Sequence, residues 1–558
     1  MEETKIIKNL SCSVCKSEFP ITDWDQAFYK KIDAPEPQKC YNCRQRQRQA
    51  FRNERHLYKD TCSLCKKDII SIYSEEKSLP VYCNECWFGD GWDRMDYGRD
   101  YDPSRKFFDQ WNDLWKEVPK LALLALGQME NSDYTHDAIR LTNCYLIFDG
   151  EQAKDCMYGE TFLLTKDCSD FLFLMKSELC YECTNCNDCY NLEYSQFCNN
   201  CNESAFLQDC TGCQDCLGCV NRHRAKFEIF NKQYSEEEYN KRLEQYDLHD
   251  HKNIEKFKQE FQKFVQAQPK KSMRGLQNEN VTGDNINNSK DTYYSFDCND
   301  LRDCKYMTNC VMKATDCMDI DIWGNGMTQC YNCECIGEGV QSLFGCYYTA
   351  FNSRDCYNCA FCMKSNHNLL GCVGLIHKNH CILNKQYSEE EYTKLFEQIK
   401  ANMIRDGEWM EFFPIQTSAF YYNETVAQEY FPITKEQAEG WKIPWQEKDP
   451  EKYKPVKFTP PDTIEQTDDS ILEQILGCET CGKNYRLVAQ ELALYRKKNL
   501  PVPRNCSDCR HSARMKLRNP RQLHTRKCSK SGTELQTTIA PDRPEPILSP
   551  EEFVKEFF

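Results

Sequence analysis

The chain has 558 residues, is 40% hydrophobic and 28% charged, and carries a formal net charge of -15. That length exceeds one ordinary core and predicts several domains. No apolar run of about 18 residues and no amino-terminal apolar core occurs, so neither a membrane span nor secretion is expected, and the cytoplasm is the expected compartment. In a reducing setting the 39 cysteines are expected as thiols and metal ligands, since repeated CxxC in a long intracellular chain signals metal.

In chain order, Cys12, Cys15, Cys40 and Cys43 form one pair of CxxC knuckles, and Cys62, Cys65, Cys83 and Cys86 a second. Two knuckles present four sulfurs tetrahedrally to zinc and leave no open position for substrate, so both sites read as structural. Between them lies RQRQRQAFRNER, basic in an acidic chain. If this stretch is helical, Arg44, Arg48, Arg52 and Arg55 share one face. Asp102-Pro103 then reads as a helix start, followed by Phe107, Phe108, Trp111, Leu114 and Trp115 at helical spacing, a packed cap.

Thirteen cysteines lie between Cys144 and Cys219 and thirteen more between Cys298 and Cys381. Cys144, Cys156, Cys168 and Cys180 are twelve apart, and every cysteine of the first block falls on a multiple of three. The blocks end alike, on LGCV and NKQYSEEEY, which marks an internal duplication. Short apolar or cysteine triplets with Asn, Asp and Gly corners predict a parallel β-helix-like ladder in each block, with cysteine as a small stacked hydrophobe. A metal or iron–sulfur site at Cys180, Cys183, Cys186 and Cys189 is the sharper alternative, but the run is too regular for one cluster and lacks the flanking proline of a ferredoxin. Cys372, His377, His380 and Cys381 are metal-compatible residues whose counterparts in the first block are Cys219, Arg224, Phe227 and Glu228, and that one-sidedness favours a loop histidine pair.

Ser235 with Glu238 and Ser388 with Glu391 are capping boxes for helices that close the ladders, and a second amphipathic helix carries Ile254, Phe257, Phe261 and Phe264. The proline- and aromatic-rich stretch near 405–470 reads as an extended connector on the ladder surface. Beyond it, Cys478, Cys481, Cys506 and Cys509 repeat the spacing of the first site, a shift of 466 that also places Arg510, Arg514, Arg518 and Arg521 on the first arginine row. Pro520 is expected to end this second helix and leave Arg521 just outside it. Under the same shift Cys528 answers Cys62, while Ser531, Ser549 and Glu552 stand where the other three ligands would be. Three zinc ions per chain are therefore expected.

CSVCKSEFPITDWDQAFYKKIDAPEPQKCYNCR and CETCGKNYRLVAQELALYRKKNLPVPRNCSDCR are similar to the small "probable zinc-ribbon" family, a treble-clef-like module with two CxxC knuckles, a Phe-Tyr or Leu-Tyr pair and a proline turn. The resemblance covers about 35 residues at each end and implies zinc binding, a short helix after the second knuckle, and no particular reaction; the first copy has Asp33-Ala34 where the family tends to Lys-Gly. The overall layout also resembles a group of bacterial proteins with ribbons at both ends and a cysteine-rich centre. Some of these are labelled CaiB/BaiF-type coenzyme A transferases, and no residue pattern here supports that label.

The expected fold is multidomain and mainly β: paired zinc ribbons over 1–100, a helical cap over 101–129, ladders with short capping helices over 130–268 and 269–404, the connector, and over 471–558 a zinc ribbon with a degenerate second copy. A row of arginines beside a zinc knuckle suits phosphate, so binding of RNA or DNA backbone is one reading. The other is a protein-protein scaffold whose basic modules dock on its own Asp- and Glu-rich ladder. An enzyme built on a β-helix face comes third, because no repeated Asp pair or His nominates itself.

Overall fold

The computed structural model describes residues 5–175, 184–187, 190–447, 453–456 and 458–557. The first cysteine block is a stack of parallel strands in which each residue pairs with the one twelve further on: His136 with Phe148, Phe148 with Glu160, Asn202 with Gln214, Gln214 with Lys226. The multiple-of-three rule explains how this coil closes. From Asn131 to Asp170 every third residue has a left-handed backbone, for example Asn143 (φ 53°), Leu146 (52°), Asp149 (56°) and Gln152 (59°). Four corners per twelve residues make a four-sided rung, and the middle residue of each side points inward.

The buried core of this ladder is accordingly a register: Ala138, Leu141, Cys144, Ile147, Ala153, Cys156, Phe162, Cys168 and Phe171, then Leu192 to Ala225, all on multiples of three. Left-handed corners cost about 1–2 kcal/mol for ordinary residues and less for Asn and Asp. Here amide ladders between rungs add support, with Asn131 donating to Asn143 (3.2 Å) and Asn143 to Asp155 (3.0 Å). Aromatic core residues fit because the rung beside them carries glycine. A Cβ on Gly159 would fall 1.9 Å from the Phe171 ring, and one on Gly150 within 2.6 Å of Phe162.

The second block begins with an eleven-residue step, as in Glu279 with Lys290, passes through twelve at Lys290 with Arg302, runs at thirteen from Leu301 with Ala314 to Tyr357 with Leu370, and returns to twelve at His367 with Asn379. The extra residue enters at one corner, which there has two consecutive left-handed residues: Asn325-Gly326, Glu338-Gly339, Phe351-Asn352 and Lys364-Ser365, each pair thirteen after the last. Its core is again sulfur-rich, with Cys304, Cys317, Cys330, Cys346, Cys356, Cys359 and Cys372 fully buried. Each ladder ends on a short antiparallel strand, after which the helices Glu236–Tyr246 and Glu389–Asp406 start on the capping boxes of Ser235 and Ser388. The second amphipathic helix spans His251–Ala267 and buries Ile254, Phe257 and Phe261.

Three expectations need correction. The helix expected from Asp102 begins at Phe107; Asp102 instead accepts hydrogen bonds from Ser104 in a preceding turn. Its apolar face is buried as read, with Trp111 stacked on Phe413 at 3.9 Å between ring centroids. The arginine helices are shorter than expected, Tyr41–Gln49 and Ser507–Lys516. Arg52 and Arg55 therefore follow the first helix in irregular chain, where the Asn53 amide donates to the carbonyls of His56 and Ile72 and holds the turn. Arg518 joins Arg521 outside the second helix. The connector is not a surface strap: Phe412, Phe413, Tyr422 and Ala427 are buried, and its short helix Val426–Tyr430 packs on the first arginine helix.

The zinc-type modules and ladders interlock crosswise. In the amino-terminal half the strand Val81–Tyr82 pairs in parallel with Lys120–Leu121, at the entry of the first ladder. In the carboxy-terminal half Ile547–Leu548, displaced by 466, pairs in parallel with Lys270–Lys271, at the entry of the second. The arginine helices dock the opposite way, the first on the second ladder and the second on the first.

Candidate metal centres and the arginine interface

Three four-cysteine groups come together as the spacing predicts: Cys12, Cys15, Cys40 and Cys43; Cys62, Cys65, Cys83 and Cys86; and Cys478, Cys481, Cys506 and Cys509, each with its sulfurs within 4.8 Å of one another. Cys15–Cys40, Cys65–Cys83 and Cys481–Cys506 sulfur pairs lie at 3.6, 3.9 and 3.8 Å. Tetrahedral zinc with Zn–S near 2.3 Å separates its sulfurs by about 3.8 Å, so the donor sets fit that ion. Burial alone would raise the thiol of Cys62, but the backbone N–H groups of Cys65, Cys83 and Leu64 outweigh it and hold Cys62 down at about 6. Thiolate is the form a metal needs.

The fourth module keeps the knuckle without the ligands. Around Cys62, the Cys62 N–H donates to Lys67, Lys66 to Cys62, Ser63 to Val81, and Cys83 to the Cys62 sulfur. Around Cys528 the same four bonds recur with Thr533, Gly532, Ile547 and Ser549. Among the described residues, no metal-type group of three or more ligands includes Cys528.

Both knuckles hand directly into an arginine helix, since Cys40 and Cys506 are the residues that precede Tyr41 and Ser507. The first helix climbs the second ladder about one rung per turn, because its 5.4 Å pitch nearly matches the spacing of adjacent strands. Thr308, Asp321, Glu334 and Tyr347 are stacked thirteen apart on that ladder. Gln45 donates to Thr308 (3.3 Å) and Asp321 (2.8 Å), Arg48 to Asp321 (2.8 Å), Arg52 to Glu334 (3.3 Å), and Tyr347 to the Phe51 carbonyl (2.5 Å). Arg44 donates to Asp319 at 2.8 Å. Arg44, Arg48 and Arg52 are at most 3% exposed, and Arg55, also largely covered, reaches Glu160 of the first ladder at 3.4 Å.

The second row repeats the arrangement on different acids. Arg510 and Arg514 reach Asp170 at 3.0 and 3.2 Å, and Arg510 also reaches Glu491 at 3.2 Å. Arg518 and Arg521 both pair with Asp297. Burial pushes the Asp297 carboxyl up, yet the two guanidiniums prevail and hold it well below the carboxylate range. All eight arginines nominated for phosphate thus pair with the protein's own carboxylates, and Arg55, Arg518 and Arg521, only partly covered, also line a cleft. Their partners were not visible as a set in the sequence, although the thirteen-residue step from Asp321 to Glu334 is a signal once the rung length is known.

The ladder thiols are packing groups. Burial raises Cys156, Cys198 and Cys304 far above the free thiol, while hydrogen bonds from neighbouring thiols hold Cys213, Cys317 and Cys359 below it. Most described ladder cysteines donate back to a carbonyl two residues earlier, as Cys156 does to Lys154 (3.2 Å), whereas Cys335 faces Asp137 at 3.8 Å. Cys180, Cys183 and Cys189 lie outside the described residues, as does the side chain of Cys186. Cys372 and Cys381 are buried in the core while His377 and His380 sit at left-handed corners, and His380 meets the Asn368 amide at 3.0 Å, so these four do not converge. A cluster missed by sequence reasoning is Glu160, Glu429 and His511, whose ligand atoms lie within 4.8 Å of one another. No helix among the described residues is long and apolar enough to cross a membrane.

No protein-family profile matches the chain, and no curated protein matches it. Among solved structures, a "putative acetyltransferase" from Desulfovibrio desulfuricans G20 is similar at 9% identity with a TM-score of 0.11, covering 54% of this chain and 76% of that one. A likeness at that level carries no argument about activity.

Proposed function

We propose that this protein is a cytoplasmic, non-catalytic scaffold in which treble-clef-type zinc ribbons, each four-cysteine group holding one zinc ion, clasp two cysteine-lined parallel β-helices. The observation that supports this reading best is the burial of both arginine rows against ladder carboxylates. A phosphate-binding row keeps its guanidiniums in solvent, whereas a charge buried with its partner serves position and register. Zinc then acts as the fastener, because the same knuckle that supplies two of its ligands also begins the helix that carries the arginines. The duplicated sequence gives each ladder one ribbon at its entry and one arginine helix on its side.

The test is binding of mixed RNA and DNA by the zinc-loaded full-length chain as a function of salt. The scaffold reading expects weak binding that Arg48→Glu and Arg514→Glu do not reduce. Tight binding that falls steeply with salt and is lost in those variants would instead establish the phosphate reading.

A further inference from the structure

A cleft of about 1550 Å³ opens among the amino- and carboxy-terminal zinc-type modules, the connector and both ladders. His511, Glu429, His56, Asp508 and Ser512 are among the residues on its wall. His511 follows Arg510 on the second arginine helix and is 3% exposed, so the clasp that seats Arg510 on Asp170 also fixes the imidazole. Its two ring nitrogens face carboxylates from two different elements. Nδ1 is buried 3.5 Å from Glu160 of the first ladder without a formed hydrogen bond, and Nε2 is hydrogen-bonded at 3.2 Å to Glu429 of the connector helix Val426–Tyr430.

A metal-binding histidine commonly has one ring nitrogen held by a carboxylate, which sets the tautomer, and the other turned to the ion. Two ligands each about 2.1 Å from one ion, at a right angle, stand about 3 Å apart, close to the separation of Nε2 and Glu429. Glu160 does not carry its full charge toward the cleft, because Arg55 shares the same carboxylate oxygen at 3.4 Å. Its place is behind the imidazole rather than on the ion.

We propose that His511 Nε2 and Glu429 hold an exchangeable divalent cation at the cleft wall, with Glu160 orienting the imidazole through Nδ1. Two protein donors leave several positions for water or an oxygen ligand entering the cleft, unlike the closed four-cysteine groups. Nitrogen and carboxylate donors without sulfur suit first-row ions such as Mn²⁺, which thiolate sites do not favour.

Zinc-loaded full-length protein is titrated with Mn²⁺, and bound ion is read from loss of the free-ion electron paramagnetic resonance signal. One Mn²⁺ per chain is expected. Glu429→Gln and His511→Ala are each expected to weaken binding about tenfold or more, and Glu160→Gln about ten- to a hundredfold. Glu429 is partly exposed, so its replacement tests the site even if His511→Ala folds poorly. Absence of bound Mn²⁺ in the parent, or binding unchanged in Glu429→Gln, overturns the proposal. The zinc content of the same samples is a separate readout, and a count below three bears on the four-cysteine groups rather than on this site.

Discussion

Arg48 is the most informative single residue to remove. Its side chain is fully buried, 2.8 Å from Asp321, 3.5 Å from Asp319 and 3.0 Å from the Asn332 amide oxygen. In Arg48→Met, Asp319 keeps Arg44, but Asp321 is left with the neutral donors Gln45 and Thr308. A buried carboxylate stripped of its cation costs about 3–5 kcal/mol, against about 0–1 kcal/mol for a solvent-exposed pair. Urea unfolding followed by tryptophan fluorescence reports the loss, because Trp111 and Trp115 belong to the core shared by the amino-terminal modules and the second ladder. Adding Asp321→Asn should recover part of the cost, since it removes the orphaned charge, and the double variant should be less destabilised than the sum of the singles. A loss under about 1 kcal/mol for Arg48→Met would refute the reasoning, because that is the behaviour of an exposed arginine.

Asp297 predicts a pH dependence. Arg518 and Arg521 overcome its burial and hold its carboxyl far below the ordinary range, so the unfolded chain binds more protons and acid favours unfolding. That stabilisation is complete above the unfolded value, about 4, and is lost as pH falls through the folded one; Asp297→Asn should flatten the acid limb of stability against pH. Elemental analysis should find three zinc ions per chain, and Cys528→Ser should leave that count at three, whereas a fall to two would place a ligand at Cys528. Gly159→Ala should destabilise the first ladder by about 1–3 kcal/mol through overpacking against Phe171, measured by thermal unfolding; a neutral result would mean the rungs can move apart.

Much of the ladder was legible because its period is written in residue numbers. Cysteines on multiples of three mark the inward column, and the corner residues between them are rich in Asn and Asp, which tolerate a left-handed backbone. The four-cysteine groups were equally legible, since CxxC spacing by itself nearly fixes the ligand geometry. The arginine partners were not, because Asp170, Asp297, Asp319 and Asp321 look like any other corner or surface acid until the chain is coiled and two modules are laid across it. Helix length was misjudged for a related reason: the repeated arginine spacing continues past Gln49 and Lys516, while the Asn53 amide and the residues near Pro520 turn the backbone away. The cleft cluster depends on three distant segments, and no single one of Glu160, Glu429 and His511 stands out in sequence.

If the arginine rows are internal, arginine-specific modification of the native protein by a dicarbonyl reagent, read by peptide mass spectrometry, will spare them. Arg105, Arg140 and Arg405 have side chains 47%, 50% and 63% exposed and should react readily. Arg44, Arg48, Arg52, Arg510 and Arg514 should stay protected until zinc is chelated or the chain is unfolded. Modification of those five at the rate of the exposed three, in zinc-loaded native protein, would contradict the account.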